Sequence, residues 1–382
     1  MALVFADSFD HYETNPANAS QHNLNGKWET QFAARRNGRR GSWGARDVLL
    51  KNLQPQDTLI IGLAVFLDFE SVSLNGVWVP VGEPSRGGFG FTVYNDSQIY
   101  CKLGLGSDGR MRVTRGAYPN TSTSDGGGSY FAGGLASVLW TSSVPVWKFG
   151  QWNYLEWKIT AKTDDTGSFE IRVNGEEVAN VTGVRTVPFA LGDGPADPQY
   201  YNPENFTQFT IDSTLGTNAY DDLYVLNAEG GVNDDFLGDL YVERILPEGA
   251  GLYSDSTIVG TTPQPTRWQS VRVADGGTSA VQFSAVDEKD SYEFEDLPYA
   301  TSTVYAVQVV AQARKEDSGF ARITLTNDVN AATTDASPTL LTPSAGDVYA
   351  FRTAQLDQSA DGSWTLQKVQ DSEFGVRREA LP

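Results

Sequence analysis

The chain has 382 residues, with 28 basic and 48 acidic side chains and a formal net charge of −20 at pH 7. This charge repels nucleic-acid phosphates and anionic membranes, so neither is expected as a partner. The length predicts two domains, each long enough to form its own hydrophobic core. Aromatic residues make up 12% of the chain, and its 38 glycines and 17 prolines separate short periodic runs. This composition favours an all-β fold.

The first predicted strand covers residues 3–9, and a cluster of arginines follows it. Arg35, Arg36, Arg39 and Arg40 surround an Asn-Gly turn in this acidic chain. One interpretation is a solvated hairpin end. The other is a docking point for an acidic neighbouring subunit, because arginine pairs with carboxylates and is enriched at interfaces. We predict that Arg36 and Arg39 lie at or near a subunit contact.

The next runs predict a central strand and a meander. Residues 59–67 are apolar on both faces, which is typical of a central strand rather than an edge strand. Three further strands are predicted at 89–94, 99–105 and 111–114, at the spacing of an antiparallel meander. Cys101, the one cysteine of the sequence, lies in the second of these runs. We therefore interpret it as a buried small hydrophobe and expect no internal disulfide.

Two irregular stretches, at 115–151 and 183–207, interrupt the strand pattern and are rich in glycine or proline. Long loops of this kind are uncommon unless they are functional. Their aromatic residues could stack on sugar rings, or they could pack beneath their own loops or at a subunit contact. These residues are Tyr118, Tyr130, Trp140, Trp147, Tyr200 and Tyr201.

The strongest local signal lies at 151–181. Its apolar residues alternate with period 2, as in half-buried strands: Leu155, Trp157, Ile159, Phe169, Ile171 and Val173. Asn174-Gly175 is a two-residue connection of the kind that closes a tight antiparallel hairpin. The opposite face carries charges that can pair across strands: Glu156, Lys158, Glu170 and Arg172. We expect this charged face to be solvated.

The polar, glycine-containing stretch at 227–235 predicts a domain boundary, with domains at 1–230 and 231–382. In the second domain the clearest strand is at 304–311, and it is predicted to form a hairpin with 322–326. We predict that this domain is also an antiparallel β-sandwich.

Several of these motifs, taken in order, resemble one family. They are the W-x-Y-x-E-x-K run at 152–158, the V-N-G-x-x-V hairpin after it, an opening strand at 5–10 and a closing strand at 220–225. They are similar to the laminin-G/concanavalin-A-like jelly roll of bacteriophage virion proteins, and the resemblance continues through 236–239 and 373–376. It implies an N-terminal concanavalin-A-like jelly roll, followed by the second antiparallel sandwich.

The resemblance also implies a function. We expect a non-enzymatic structural component of a tailed-phage virion, in the tail or a fibre, which assembles with itself and with other virion proteins in the host cytoplasm. The alternatives are a head-surface decoration protein of the capsid and a glycan-binding adhesion module with a host surface glycan as its partner. The N-terminus lacks a basic n-region and a long apolar segment, so we expect no signal-directed export.

Jelly-roll glucanases carry an ExDxxE pattern, which Glu288, Asp290 and Glu293 match. A retaining glycosidase holds its two carboxyls about 5–5.5 Å apart and raises the pKa of one of them. The matching segment is polar and lacks interleaved apolar residues, so we interpret it as a solvated acidic turn. A glycoside hydrolase is therefore only a third alternative, and we predict no catalytic residues.

The sequence offers few residues that could bind a metal ion or a cofactor. His11 and His22 are the two histidines, which is too few for a site of His and Cys ligands. Calcium is the one ion left open, because paired aspartates can supply oxygen ligands. The pairs are Asp221 with Asp222 and Asp164 with Asp165. No cofactor is predicted.

Overall fold

The computed structural model describes residues 3–8, 42–43, 49–67, 71–74, 77–80, 89–96, 98–106, 109–116, 137–188, 203–213, 218–229, 231–272, 278–297, 303–315, 318–329, 332–335, 339–341, 348–354 and 363–381. The chain forms two compact units, with the change between them at Val242 and Glu243. The first unit includes residues 231–242, which the predicted domains place in the second half. No helix of the described ranges is long and apolar enough to cross a membrane.

The strands of the first unit, in chain order, are β1 (Leu3–Asp7), β2 (Ser42–Trp43), β3 (Leu49–Gln56), β4 (Thr58–Leu67), β5 (Ser71–Leu74), β6 (Val77–Pro80), β7 (Phe89–Asn95), β8 (Gln98–Leu105), β9 (Met111–Arg115), β10 (Ser137–Thr141), β11 (Trp152–Thr160), β12 (Gly167–Val173), β13 (Glu176–Val184), β14 (Phe206–Ser213) and β15 (Asn218–Leu226).

These strands form two large antiparallel sheets. The seven-stranded sheet has the order β1-β15-β4-β11-β12-β13, with β2 paired to β15. The six-stranded sheet has the order β10-β9-β8-β7-β14-β3, and β5 pairs with β6. Apolar side chains of both sheets form one core, in which the rings of Phe91 and Trp157 stack with centroids 6.4 Å apart. The predicted fold class, all-β with antiparallel sheets arranged as sandwiches, is confirmed.

Several local predictions are confirmed. Strand β4 lies between β15 and β11, and its residues 59–65 are buried, as a central strand requires. Strands β7, β8 and β9 form the predicted meander. Cys101 is fully buried, its Sγ donates to the Thr186 carbonyl at 3.2 Å, and burial raises the pKa of its thiol.

Strands β12 and β13 form the predicted hairpin. Val173 pairs with Glu176, and the connection has φ values of 55° at Asn174 and 81° at Gly175. Two successive positive φ values are the signature of a type I′ turn, whose twist matches that of the flanking strands. Asn174 also accepts a hydrogen bond from the Tyr154 amide at 2.8 Å, which ties the turn to β11.

The elements of the second unit are β16 (Pro247–Ser254), β17 (Thr257–Val259), α1 (Arg267–Val271), β18 (Ala280–Gln282), β19 (Lys289–Phe294), β20 (Val307–Ala313), β21 (Ala321–Val329), β22 (Ala332–Asp335), β23 (Thr339–Leu341), β24 (Val348–Ala354), α2 (Leu366–Gln370) and β25 (Ser372–Glu379). The main sheet has the order β16-β19-β25-β21-β22, with β23 paired to β21. Strands β17 and β18 form one two-stranded sheet, and β20 and β24 form another.

One predicted pairing is wrong. Strand β20 pairs with β24 rather than with β21, whose partners are β22, β23 and β25. The two strands meet through their side chains instead, because Val309 and Ala311 of β20 pack against a cluster that contains Ile323 and Leu325 of β21. A turn between two strands permits pairing within one sheet or packing between two layers, and the second arrangement occurs here.

Candidate functional site

The polar face of the six-stranded sheet is the candidate site. Along β7, β8, β9 and β14, alternate side chains lie in the core: Phe91, Val93, Cys101, Leu103, Met111, Val113, Phe209 and Ile211. The intervening residues therefore lie on the opposite side, here called the outer face. They are Thr92, Tyr94, Lys102, Arg112, Thr114, Gln208 and Thr210.

One row of this outer face crosses four strands. The pairing places Thr114 opposite Lys102, Lys102 opposite Thr92, and Thr92 opposite Thr210. Paired residues of an antiparallel sheet lie on the same face, with their Cβ atoms about 4.5–5.5 Å apart. The row thus places the partly exposed Lys102 between threonine side chains that are fully buried.

The neighbouring row contains glycine. Arg112 pairs with Gly104, Gly104 with Gly90, and Gly90 with Asp212. A Cβ at Gly90 would lie 2.4 Å from the Leu103 carbonyl oxygen, so only glycine fits there. The two glycines leave β7 and β8 without side chains beside Lys102, and Gly90 itself is buried. The Asp212 side chain lies outside the described part.

The charges near this face are mostly basic. Lys102 and Arg112 are both partly exposed, and Arg110, immediately before β9, is exposed. The Arg112 Nε donates to Thr141 Oγ1 of β10 at 3.2 Å, which orients its guanidinium. The charged side chains that the structure describes near this face are these three cations, in a chain of net charge −20. The described part of the outer face thus differs in charge from the chain as a whole.

Thr114 adds unused hydrogen-bonding capacity. Its Oγ1 is buried and has no hydrogen-bond partner among the residues that the structure describes. A buried hydroxyl without a partner costs roughly 1–3 kcal/mol. In the row, this hydroxyl is next to Lys102 and opposite Val138 of the edge strand β10.

The predicted contact residues and most of the predicted aromatic residues fall beyond the described ranges. Arg36 and Arg39 lie outside them, as do Tyr118, Tyr130, Tyr200 and Tyr201. Trp147 is 4% exposed and its ring centroid lies 6.1 Å from that of Phe89, so it belongs to the core. Trp140 is partly buried against the same core. These two tryptophans therefore pack against the core, as one of the two interpretations predicts.

The paired aspartates are engaged with backbone amides. Asp221 Oδ1 accepts from the Asp222 amide at 2.9 Å, and Asp222 Oδ1 accepts from the Val242 amide at 2.8 Å. Asp164 accepts from the Thr166 amide at 3.0 Å and stabilises an exposed turn. In the described ranges, no group of three or more His, Cys, Asp or Glu residues is arranged to hold a metal ion.

The interpretation of the ExDxxE segment as a solvated turn is wrong. Residues 289–294 form β19, and Asp290 is fully buried, where it accepts from the Ser256 amide at 3.0 Å and the Tyr292 hydroxyl at 2.8 Å. Asp290 and Glu293, three residues apart in a strand, lie on opposite faces of the sheet. Glu288 accepts from the Ala285 amide at 2.9 Å in an exposed turn. The three carboxyls therefore do not converge on one site.

The prediction of a solvated face on the seven-stranded sheet is wrong at Glu156, which is 1% exposed. The segment Asp235–Val242 covers it. Sequence reasoning also missed Lys102 and Arg112. Their signal was present as polar residues at alternate positions of apolar runs. That these residues lie on the same face as Gly90 follows only from the pairing of β7, β8 and β9.

Comparisons with known proteins find similar folds only. No protein-family model and no curated protein matches the chain. The alginate lyase vAL-1 from Chlorella virus is 10% identical, with a TM-score of 0.36 over 58% of this chain and 100% of that chain. The endo-β-1,4-glucuronan lyase from the fungus Trichoderma reesei is 14% identical, with a TM-score of 0.30 over 59% and 87%. A tetrameric galectin from the ball sponge Cinachyrella sp. is 13% identical, with a TM-score of 0.27 over 47% and 99%.

These comparisons contradict the predicted function. The similar structures are polysaccharide lyases and galectins, so the prediction of a structural component in a phage tail, fibre or head surface is wrong. The resemblance of single motifs to a phage family, the virion location and the self-assembly stay predictions. At these identities the likeness shows the β-sandwich fold alone, and any activity must be argued from the chain's own residues.

Proposed function

We propose that the first unit binds an anionic glycan on the outer face of the six-stranded sheet. The observation that carries the proposal is that two basic residues, Lys102 and Arg112, lie on the same face of the sheet next to Gly90 and Gly104. A cationic surface in a strongly acidic chain favours a negatively charged ligand and increases its rate of association.

The chemistry of the outer face fits an acidic sugar. A guanidinium can hold a carboxylate or sulfate through two hydrogen bonds, and an ammonium adds a second cation to the same group. Thr92, Thr114 and Thr210 are fully buried, so the partly exposed Lys102 and Arg112 are the groups proposed to contact the sugar.

A carbohydrate partner is compatible with the names of the similar structures, which include alginate lyases, a glucuronan lyase and galectins. The proposal does not depend on them. We propose binding without catalysis at this face.

The test is isothermal titration of the full chain with a polyuronate such as alginate oligosaccharide, and with a neutral glucan oligosaccharide of equal length. We expect saturable polyuronate binding that weakens as salt rises and no binding of the neutral glucan. Loss of a charge-assisted hydrogen bond costs about 1.5–3 kcal/mol, so Arg112→Gln and Lys102→Met should each raise Kd roughly 10–150-fold.

Lys148→Gln is the matched control, because Lys148 is exposed on the loop after β10 and its substitution removes the same charge. Its Kd should equal that of the wild type. Equal loss in all three variants would indicate a non-specific charge effect and overturn the proposal, as would the absence of polyuronate binding. Formation of an unsaturated uronate, followed by its ultraviolet absorbance, would refute the non-catalytic part alone.

A further inference from the structure

Residues Asp235–Val242 form a strap across the face of the seven-stranded sheet that points away from the core. The strap belongs to the first unit and lies outside any strand. Each of its residues keeps some solvent exposure, and Tyr241 is 47% exposed. Its attachment therefore differs from that of a core element.

The surface beneath the strap is built from one cross-strand row. Tyr224, Gly62 and Glu156 are paired in that order across β15, β4 and β11. Because Gly62 has no side chain, the Tyr224 ring lies over it and the Tyr224 hydroxyl reaches the Glu156 carboxylate on the far strand. Both side chains are buried beneath the strap.

These buried side chains recognise the backbone of the strap. Tyr224 Oη accepts from the Leu237 amide at 3.2 Å, and Glu156 Oε1 accepts from the Gly238 amide at 2.8 Å. Asp222 Oδ1 accepts from the Val242 amide at 2.8 Å. Acceptors provided by side chains replace the backbone acceptors that a neighbouring strand would offer.

One strap side chain is held as well. The Phe236 ring lies under the Arg172 guanidinium, 4.4 Å from its Cζ to the ring centroid, and Lys158 Nζ is 5.9 Å from the same centroid. Lys158 Nζ also pairs with Asp235 Oδ1 at 3.1 Å. Cation–π contacts of this kind select an aromatic residue. Gly238, two residues later, has φ +77° and so turns the strap onto Glu156.

We propose that this surface is a peptide-binding site and that the strap is its resident occupant, bound within the same chain. The partner it fits is an extended segment with an acidic-aromatic pair and a glycine two residues after the aromatic. The same segment of a second copy has this chemistry. The site binds backbone amides, one aromatic ring and one carboxylate. It lies on the seven-stranded sheet, whereas the proposed glycan face lies on the six-stranded sheet.

The experiment uses the full chain with a weakened strap, Phe236→Ala with Gly238→Pro. Proline lacks the amide that Glu156 binds and cannot adopt a positive φ. Hydrogen exchange should show faster exchange of the Leu237 and Val242 amides, while β4 and β11 stay protected. A fluorescent peptide with the sequence of residues 233–244 should then bind saturably, by anisotropy.

The wild type should bind this peptide at least about tenfold more weakly, because its own strap competes at an effective concentration near the millimolar range. Adding Glu156→Gln to the weakened chain should reduce peptide affinity about tenfold. Glu177→Gln, an exposed position in the same row beyond Arg172, is the matched control and should have no effect.

Three results would overturn the proposal. The strap amides could stay protected in the weakened chain, the released site could fail to bind the peptide, or β4 and β11 could lose protection together with the strap. The last result would make the strap an inseparable part of the sandwich. Alginate binding measured on the same variants reports separately on the glycan face.

Discussion

The Tyr224 hydroxyl donates a hydrogen bond to the Glu156 carboxylate across β4, the strand that separates their own strands. The bridge is possible because Gly62 occupies the position between them. The same carboxylate accepts from the Gly238 amide and lies beside Arg172 in the next strand. One buried acid thus joins three strands and the strap.

The pH dependence of stability should report on Glu156. Burial raises the pKa of its carboxyl above the ordinary 4.5, although the hydrogen bonds from Tyr224 and Gly238 and the charge of Arg172 oppose the shift. A folded-state pKa above the unfolded value stabilises the fold fully below about pH 4.5, and this contribution is lost as pH rises through the folded-state pKa. Relative to Glu156→Gln, the wild type should therefore lose stability as pH rises above 4.5.

Urea denaturation of both proteins at a series of pH values gives this difference. Glu177→Gln, which removes an exposed carboxyl of the same sheet, serves as the control, and its stability should change with pH in parallel with that of the wild type. If the stability of the wild type relative to Glu156→Gln stayed constant across the series, or increased with pH, the result would contradict the raised pKa.

A methyl group at Gly62 should disrupt the same bridge. The added Cβ would lie 2.1 Å from a Tyr224 ring carbon, far inside contact distance. Because the ring is buried and cannot move aside freely, Gly62→Ala should lower the free energy of unfolding by roughly 1–3 kcal/mol through overpacking. Combining it with Tyr224→Ala, which removes the ring, should make the Gly62 substitution nearly neutral. Additive losses in that double variant would place the strain elsewhere.

The local part of this fold could be predicted from the sequence. The alternation around Leu155 and Phe169 and the Asn174-Gly175 turn lie within one hairpin, so neighbouring residues alone determine them. The pairing of β20 could not be predicted, because its partner β24 is about forty residues away and the intervening turn permits two arrangements.

The candidate sites likewise combine features that the local sequence predicts with features that depend on distant strands. Lys102 and Arg112 are visible as polar residues in apolar runs, but their neighbourhood with Gly90 depends on the order of three strands. Glu156 looked like one charge of a solvated face. Its burial comes from the strap, which is about 80 residues further along the chain. Gly62, a glycine within an apolar central strand, is the one sequence feature that could have indicated that this face is covered.

The type I′ turn should tolerate asparagine far better than a β-branched residue. Gly175 has φ +81°, and no heavy atom lies within 4 Å of the position that a Cβ would take, so backbone strain rather than a clash decides the effect. Gly175→Val should lower the free energy of unfolding by about 1–3 kcal/mol. Gly175→Asn should cost less, because asparagine adopts positive φ more readily. Thermal denaturation of the two variants tests this order, and equal melting temperatures would rule out strain at the turn.

The second unit contains a buried ion pair. The effect of substitutions on its stability should depend on whether one partner or both are replaced. Lys289 Nζ lies 2.6 Å from Asp328 Oδ1, with the two side chains 7% and 2% exposed, and Lys289 Nζ is 3.9 Å from the Tyr253 ring centroid. The ion pair connects β19 and β21, which lie on either side of β25.

Asp328→Asn removes the negative charge and leaves the lysine ammonium buried, so it should cost about 3–5 kcal/mol of unfolding free energy. The double variant Lys289→Met with Asp328→Leu keeps the volume and removes both charges, and it should be close to the wild type or more stable. Chemical denaturation of the full chain, with hydrogen exchange of β21 and β25 to assign the transition to the second unit, distinguishes the two. If the double variant lost as much stability as Asp328→Asn, the pair itself would be a net source of stability, and desolvation would not dominate at this position.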